Sequence, residues 1–195
     1  MKQLLPTFVV LLAMLAASPS KAQETPPQRT YAVEINPLAY AFNGWSVGFA
    51  YQPTQAKHWV FNTGLYAFEL PKTFVEQIPG NAGGGWSVKI RTAFTLGADY
   101  YPWRDDRSGL AFGLSTVLAQ FELGNEAEAG STRYSSLYFV PRASYTWFAY
   151  KGLYLAPWLG VELHSKLGGS TTLGSRNFEP LKYQFSPNLS IGYAF

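Results

Sequence analysis

Seven ionisable side chains occupy positions from which they could act together. Each lies in a stretch of alternating residue types and takes the small or polar phase of that alternation: Glu34, Lys89, Arg91, Asp99, Arg142, Glu162 and His164. Acids and bases on one face of a sheet can pair with each other, line a selective pore or bind a small solute. Which of these applies depends on the elements that carry the seven residues.

The clearest of these elements is the final stretch, 183–195, which reads YQFSPNLSIGYAF. Its odd-numbered positions are all apolar or aromatic, and its even-numbered positions are all polar or small. A strict period of two predicts a β-strand with one apolar face and one polar face. The run is longer than the four to eight residues over which a half-buried strand usually alternates.

Seven further segments show a similar alternation, so the sequence predicts eight strands. They cover residues 31–42, 45–52, 59–70, 86–102, 110–123, 134–149, 153–167 and 183–195. In the first strand Asn36-Pro37 interrupts the alternation, which favours a bulge that keeps Leu38, Tyr40 and Phe42 on the apolar face. In the fourth strand the pattern assigns Trp86, Val88 and Ile90 to the apolar face and Lys89 and Arg91 to the polar face.

The connections fall into two groups. Short turns at 53–58, 104–109 and 150–152 lie on one side, and the segments 43–44, 71–85, 124–133 and 168–182 lie on the other. Tight turns on one side and longer loops on the other are typical of outer-membrane barrels, and in a membrane only a closed sheet pairs every strand. The expected fold is all-β: an eight-stranded antiparallel up-and-down transmembrane β-barrel with aromatic girdles, among them Trp45, Trp86 and Tyr183.

The beginning of the chain and its composition add to this interpretation. Residues 1–22 combine a lysine, a short apolar run and a small-x-small end, which predicts a signal peptide followed by a barrel domain over 23–195. Lys2 and Lys21 are two of the 15 Lys and Arg residues, so the mature domain has 13 basic residues against 12 acidic ones, a net charge of about +1. This balance gives no basis for nucleic-acid binding. The chain has no cysteine, so neither disulfides nor a lipidated cysteine are expected.

The end of the chain also carries a resemblance to a known class. Phe195 is the last residue, Tyr193 precedes it by two and Asn188 lies further back, a pattern that resembles the assembly signal of bacterial outer-membrane barrels; Ser190 stands where that signal favours glycine. The whole mature chain resembles small eight-stranded members such as the transmembrane domain of OmpA and OmpX. The resemblance implies a Gram-negative outer-membrane location, with outer-membrane lipid, periplasmic chaperones and the barrel-assembly machinery as partners.

For function, the narrow interior of such a barrel favours a closed lumen filled by ion pairs and a structural or surface-interaction role. One alternative is a narrow channel or small-solute binder that uses the same charges. A second is a lipid-modifying enzyme of the type that uses a His-x-Ser pair on the lipid-facing wall. In this chain Ser165 follows His164 directly, so the two side chains point to opposite faces.

The sequence predicts no catalytic residues and no cofactor, and two histidines without cysteine make no zinc site. An extracellular partner would meet the loops 71–85, 124–133 and 168–182, because loops on a rigid scaffold carry recognition. Apolar residues in the first and third loops either contact that partner or pack over the barrel mouth: Phe74, Val75, Ile78, Leu173, Phe178 and Leu181.

Overall fold

Eight antiparallel strands close into a barrel in the computed structural model, which describes residues 30–180 and 182–195. The barrel strands are β1 (Tyr31–Ile35), β2 (Trp45–Tyr51), β3 (Trp59–Leu70), β4 (Trp86–Tyr100), β5 (Gly109–Asn125), β6 (Glu128–Tyr150), β7 (Leu153–Gly169) and β10 (Tyr183–Ala194). Each strand pairs with its neighbour in the chain, and β10 returns to pair with β1. The predicted fold class is confirmed. The predicted signal peptide and Leu181 lie outside the described residues.

The smaller elements cluster at the end of the barrel opposite Tyr31 and Phe195. They are α1 (Pro37–Ala41), α2 (Lys72–Glu76), a 3-10 helix (Pro79–Asn81) and a two-stranded hairpin of β8 (Thr172–Leu173) and β9 (Arg176–Asn177). Within the described residues, no helix is long and apolar enough to cross a membrane. We call this end the mouth of the barrel and the opposite end its floor.

The first strand is shorter than the sequence predicted, and the expected bulge at Asn36-Pro37 is wrong. Strand β1 ends at Ile35, and α1 follows at once. The Asn36 side chain caps the helix by accepting a hydrogen bond from the Leu38 amide at 2.9 Å, and Pro37 takes the first helical position. An asparagine cap followed by proline is a helix-start signal, and here it prevails over the alternation.

The outer wall of the barrel carries a continuous apolar band. On β5 the outward positions from Leu110 to Leu118 are apolar apart from Thr116, with Leu114 54% exposed and Leu118 48% exposed. The same face continues with Gln120 and Glu122 towards the mouth. Eight steps of strand span about 27 Å, or roughly 20 Å along the barrel axis at the usual tilt, close to the height of a transmembrane barrel's apolar band.

In the upper part of β4 the side chains point to the opposite faces from those predicted, because the register of β4 against β5 shifts between Ile90 and Thr92. Above this bulge Trp86, Val88 and Ile90 are buried in the barrel, while Lys89 and Arg91 lie on the outer wall. A one-residue shift moves every side chain beyond it to the other face. Lys89 and Arg91 are therefore not lumen residues, and Trp86 is not part of an outer girdle.

The predicted loop 124–133 is also wrong. Strand β5 continues to Asn125 and β6 begins at Glu128, so the two strands form a tall hairpin that rises above the apolar band. Its outer face carries the ion pair between Arg133 and Glu122 at 2.8 Å. Its inner face, with Phe121, Leu123 and Tyr134, belongs to a buried core at the mouth.

Candidate functional site

The barrel interior is arranged in three layers. At the floor, Tyr101, Tyr154 and Val60 pack with small alanines, and at the mouth a larger core forms around Phe121, Trp86 and Tyr138. Between these apolar layers lies a band of charged and hydroxyl side chains. This polar layer is the candidate functional site.

Asp99 and Arg142 form the centre of the polar layer. Arg142 donates from Nε to Oδ1 of Asp99 at 3.0 Å and from Nη2 to Oδ2 at 2.8 Å. Asn62 donates to the same carboxylate at 2.8 Å, and Arg142 Nη1 donates to the Ser115 hydroxyl at 2.6 Å. The guanidinium also lies over the Trp158 ring, 5.7 Å from its centroid. A buried bidentate pair of this kind has most of its polar atoms satisfied.

A second ion pair lies closer to the floor and includes a residue that the sequence did not reveal. Arg107 donates from Nη2 to Glu34 and to the Tyr154 hydroxyl, each at 2.9 Å, and Tyr154 donates a hydrogen bond to Glu34. Arg107 belongs to the turn between β4 and β5, yet it is only 2% exposed. The turn adopts a left-handed backbone at this residue (φ 61°), which no spacing rule predicts.

The third group lies under the mouth. His164 Nε2 is 3.0 Å from a Glu162 carboxylate oxygen, and the imidazole stacks on Tyr138 with ring centroids 4.2 Å apart. Tyr138 in turn hydrogen-bonds through its hydroxyl to that of Tyr66. The structure thus places Glu34, Asp99, Arg142, Glu162 and His164 inside the barrel, in three groups.

The two remaining predicted lumen residues lie on the outer wall. Lys89 donates to Glu69 at 3.1 Å, and both side chains are well exposed above the apolar band. This hydrogen bond, with a second from Asn43, lowers the pKa of the Glu69 carboxyl below its usual value. Arg91 is exposed at the bulge of β4. Both residues belong to the outer surface near the mouth.

Two turns meet at the floor. Gln52 is almost fully buried and donates to the Lys57 carbonyl and, at 3.1 Å, to the Asp105 carbonyl. It thereby ties the turn after β2 to the turn after β4 beneath the polar layer. Tyr101 fills the space above them and shares a hydrogen bond with Thr146 at 2.9 Å.

The mouth is covered by its own loops. Val75 of α2 and Phe178 after β9 are buried, and Phe178 packs edge-on against Trp86 with centroids 5.4 Å apart. Asn81 joins the two loops, since its side chain donates to the Glu179 carbonyl and accepts from the Glu179 amide, both at 2.9 Å. Of the two predicted roles for the apolar loop residues, packing over the mouth applies to Val75, Leu173 and Phe178.

The arrangement around His164 does not form a catalytic triad on the lipid face. His164 points into the barrel beside Glu162, whereas Ser165 is exposed on the other face of β7. In the described part of the chain, no three His, Cys, Asp or Glu side chains lie close enough together to hold a metal ion.

Of the three residues of the predicted assembly signal, Asn188 lies midway along β10, Tyr193 near its end, and Phe195 directly after it. Tyr193 and Phe195 are exposed near the floor, their rings 6.5 Å apart, and Phe195 also approaches Tyr31 at 6.3 Å. Asn188 is half-buried, and its side chain accepts a hydrogen bond from the Leu189 amide at 2.8 Å. Recognition of this end by an assembly machinery stays a prediction.

Comparison with solved structures finds six matching chains, among them one from Pseudomonas aeruginosa and one from Thermus thermophilus. The N-terminal β-barrel domain of OprF from Pseudomonas aeruginosa matches with a TM-score of 0.48 and 12% identity, over 86% of this chain and 98% of that chain. A major outer membrane protein from Thermus thermophilus matches with a TM-score of 0.40 and 14% identity, over 85% of this chain and 98% of that chain. No protein-family model and no curated protein matches the sequence.

Proposed function

We propose that this protein is an integral β-barrel of the Gram-negative outer membrane with a closed, ion-paired lumen and a structural or surface-interaction role. The proposal rests on the direction in which the side chains of the barrel wall point. Leu110, Phe112 and Leu114 point outward, whereas Asp99 and Arg142 form an ion pair inside the barrel. A barrel in water needs the reverse arrangement, since exposed apolar bands of this size are unfavourable there.

The closed state of the lumen is supported at both ends. Arg107, Tyr154 and Tyr101 are buried above the floor, and Gln52 links the two turns below them. At the mouth, Val75 and the loop around Phe178 form a lid. An eight-stranded barrel has an interior so narrow that a few large side chains can block it, and we propose that these groups interrupt any path along the barrel axis.

The surface-interaction role rests on the mouth, where the outer face changes from apolar to charged. Lys72 of α2 pairs with Glu126 at the tip of the β5–β6 hairpin, and Lys89 pairs with Glu69 below them. We propose that an extracellular partner would meet the segments 71–85, 124–133 and 168–182, whose described residues lie at this end. Insertion would involve outer-membrane lipid, periplasmic chaperones and the barrel-assembly machinery.

Fractionation of cells that express the full chain tests this location directly. We expect the protein in the outer-membrane fraction, resistant to extraction at high pH, and with a gel mobility that changes when the sample is boiled. Recovery of the protein in the periplasm as a species whose mobility is unchanged by boiling would overturn the proposal.

A further inference from the structure

The seam between β1 and β10 is joined over only part of its height. The ladder pairs Ala32–Ile35 with Ile191–Ala194, and above Ile35 the chain leaves the wall as α1. Strand β10 continues upward to Tyr183, paired on its other side with β7. Within the described residues, no ladder pair joins the upper half of β10 to β1 or β2. The wall therefore has a break in its backbone ladder above Ile191, where α1 packs beside β10, and we call this break the side opening.

The free edge of β10 is chemically adapted to this opening. Tyr31 and Phe195 exchange two backbone hydrogen bonds, and such pairs alternate along an antiparallel ladder, so the amides of Leu189 and Pro187 face the same side. The Leu189 amide donates to the Asn188 side chain at 2.8 Å, and proline has no amide hydrogen to satisfy. At these two successive positions, the edge of β10 therefore leaves no backbone N–H group that needs a neighbouring strand.

The opposite edge of the opening is completed by α1. The Asn36 amide donates to the Ser46 hydroxyl at 2.6 Å, and the Tyr40 hydroxyl donates to the Ser46 carbonyl at 2.9 Å. Tyr40 of α1 thereby satisfies one carbonyl on the edge of β2 that β1 has left. Where the barrel wall faces lipid, backbone N–H and C=O groups need hydrogen-bond partners within the protein. The edges of β10 and β2 meet part of this need through the contacts of Asn188, Pro187 and Tyr40.

A cavity of about 550 Å³ leads from this opening into the barrel. Its outer part is lined by side chains of both edges: Ile35, Leu38, Val47, Phe185, Pro187 and Leu189. Its inner wall is formed mainly by apolar and aromatic side chains: Tyr66, Ile90, Val117, Phe121, Val140 and Trp158. The volume falls within the range of small-molecule sites, and the lining favours a hydrocarbon ligand.

Arg107, at the lower end of the cavity, has one unused donor nitrogen. Arg107 lines the cavity, and its Nη1 is buried without a hydrogen-bond partner among the described residues. A buried guanidinium nitrogen with no acceptor is unfavourable, so a shift of the Arg107 side chain that brings Nη1 to a ligand oxygen would stabilise the bound ligand. Glu34 and Asp99 balance the charges of Arg107 and Arg142 at this level, which favours a neutral acceptor over an anion.

We propose that the cavity binds one single-chain lipid with a small oxygen-bearing head, of the fatty alcohol or protonated fatty acid class. The ligand enters from the membrane through the opening between α1 and β10. Its head accepts a hydrogen bond from Arg107, and its hydrocarbon chain lies along Val117, Val140 and Phe121. The inference rests on the membrane location proposed above.

Binding of radiolabelled palmitic acid to the full-length protein, purified from membranes and placed in nanodiscs, tests the proposal. Val117→Trp fills the cavity from β5, and Leu118→Trp adds the same ring to the outer wall one residue later. We expect saturable binding that falls at least tenfold in Val117→Trp and is unchanged in Leu118→Trp. Equal binding by the two variants, or no saturable binding by the native protein, would overturn the cavity assignment.

Two further measurements do not depend on the folding of a variant. A palmitic acid analogue with a photoreactive group at its chain end should label inward residues of β4–β6; labelling confined to outward residues would contradict the proposal. Hexadecanol should compete with palmitic acid, and failure to compete would overturn the neutral-head assignment. Heat-dependent mobility and the membrane fraction report the barrel itself, so a failure of lipid binding is distinguishable from a failure of the proposed location.

Discussion

Asp99 and Arg142 meet across an intervening strand. The register aligns Asp99 of β4 with Gly113 of β5, and Gly113 with Arg142 of β6, so the two charged side chains bridge over a residue that has no side chain. A Cβ on Gly113 would collide with Oδ1 of Asp99. The central ion pair therefore depends on a glycine as much as on its two charged members.

Gly113→Val should disrupt this pair. The valine side chain would displace the Asp99 carboxylate from Arg142, and separating a buried pair costs about 3–5 kcal/mol. Gly48→Ala is the matched control, since its Cβ would meet only an ordinary contact at 3.4 Å from Glu34. Urea unfolding of the refolded barrel in lipid vesicles measures the free energy of unfolding of both variants. Equal values for the two variants would contradict the placement of the Asp99–Arg142 pair over Gly113.

The same pair predicts strong coupling in a double-mutant cycle. Asp99→Asn should lower the free energy of unfolding by about 3–5 kcal/mol, because Arg142 keeps a buried charge without its counterion. Asp99→Asn combined with Arg142→Gln should recover part of that loss, because no net charge remains at the site. If the two single losses simply add, the side chains do not interact in the folded barrel.

The outer wall gives a prediction for the membrane orientation. Leu114→Arg places a charge in the middle of the apolar band and should cost roughly 2–4 kcal/mol, whereas Gln120→Arg, on the same face of β5 but nearer the mouth, should cost about 0–1 kcal/mol. The free energy of unfolding from vesicles distinguishes them. Comparable losses at both positions would rule out the proposed band.

The hydrogen bond from the Leu189 amide to the Asn188 side chain, on the edge of β10, should contribute to stability. Asn188→Leu removes the acceptor of the Leu189 amide and should destabilise the barrel by about 1–3 kcal/mol. Asn188→Asp keeps an oxygen in the same place and serves as the control for the acceptor. Hydrogen exchange at Leu189 provides a local readout, and an unchanged rate in Asn188→Leu would show that the side chain does not protect this amide.

The hairpin of β8 and β9 should loosen at acid pH. Ser175 donates to Glu128 from its hydroxyl at 2.7 Å and from its amide at 3.0 Å, and these bonds lower the pKa of the Glu128 carboxyl. The contact is therefore present in full above the usual carboxyl pKa and is lost as pH falls through the lower folded value. Amide exchange at Ser175 should show this loss, and Glu128→Gln should abolish the pH dependence.

The sequence predicted correctly which side chains point outward in those parts of the barrel wall where the alternating residues belong to the apolar band. On β5, β6 and β10 the outward residues Leu114, Phe139 and Tyr193 face as expected, because a period of two leaves one choice of phase. It failed above the band on β4. Trp86 and Val88 are apolar because a lid covers them, and alternation alone does not distinguish a lid from lipid.

The interior was predicted only in part for similar reasons. Asp99 and Arg142 lie on regular strands, so their phase could be read from the sequence. Arg107 lies in a turn with a left-handed backbone, and its side chain reaches the lumen only through the fold of that turn. Asn36-Pro37 did carry a helix-start signal, but the surrounding alternation favoured a strand.

Single-channel recording in a planar bilayer tests the central claim, a membrane barrel closed at both ends, most directly. The refolded protein is first shown to be inserted by its protection from protease in vesicles. With Gln52, Arg107 and Tyr101 blocking the floor and the loops covering the mouth, we expect no reproducible conductance steps. Steady openings of uniform size, present at each insertion, would contradict the closed lumen.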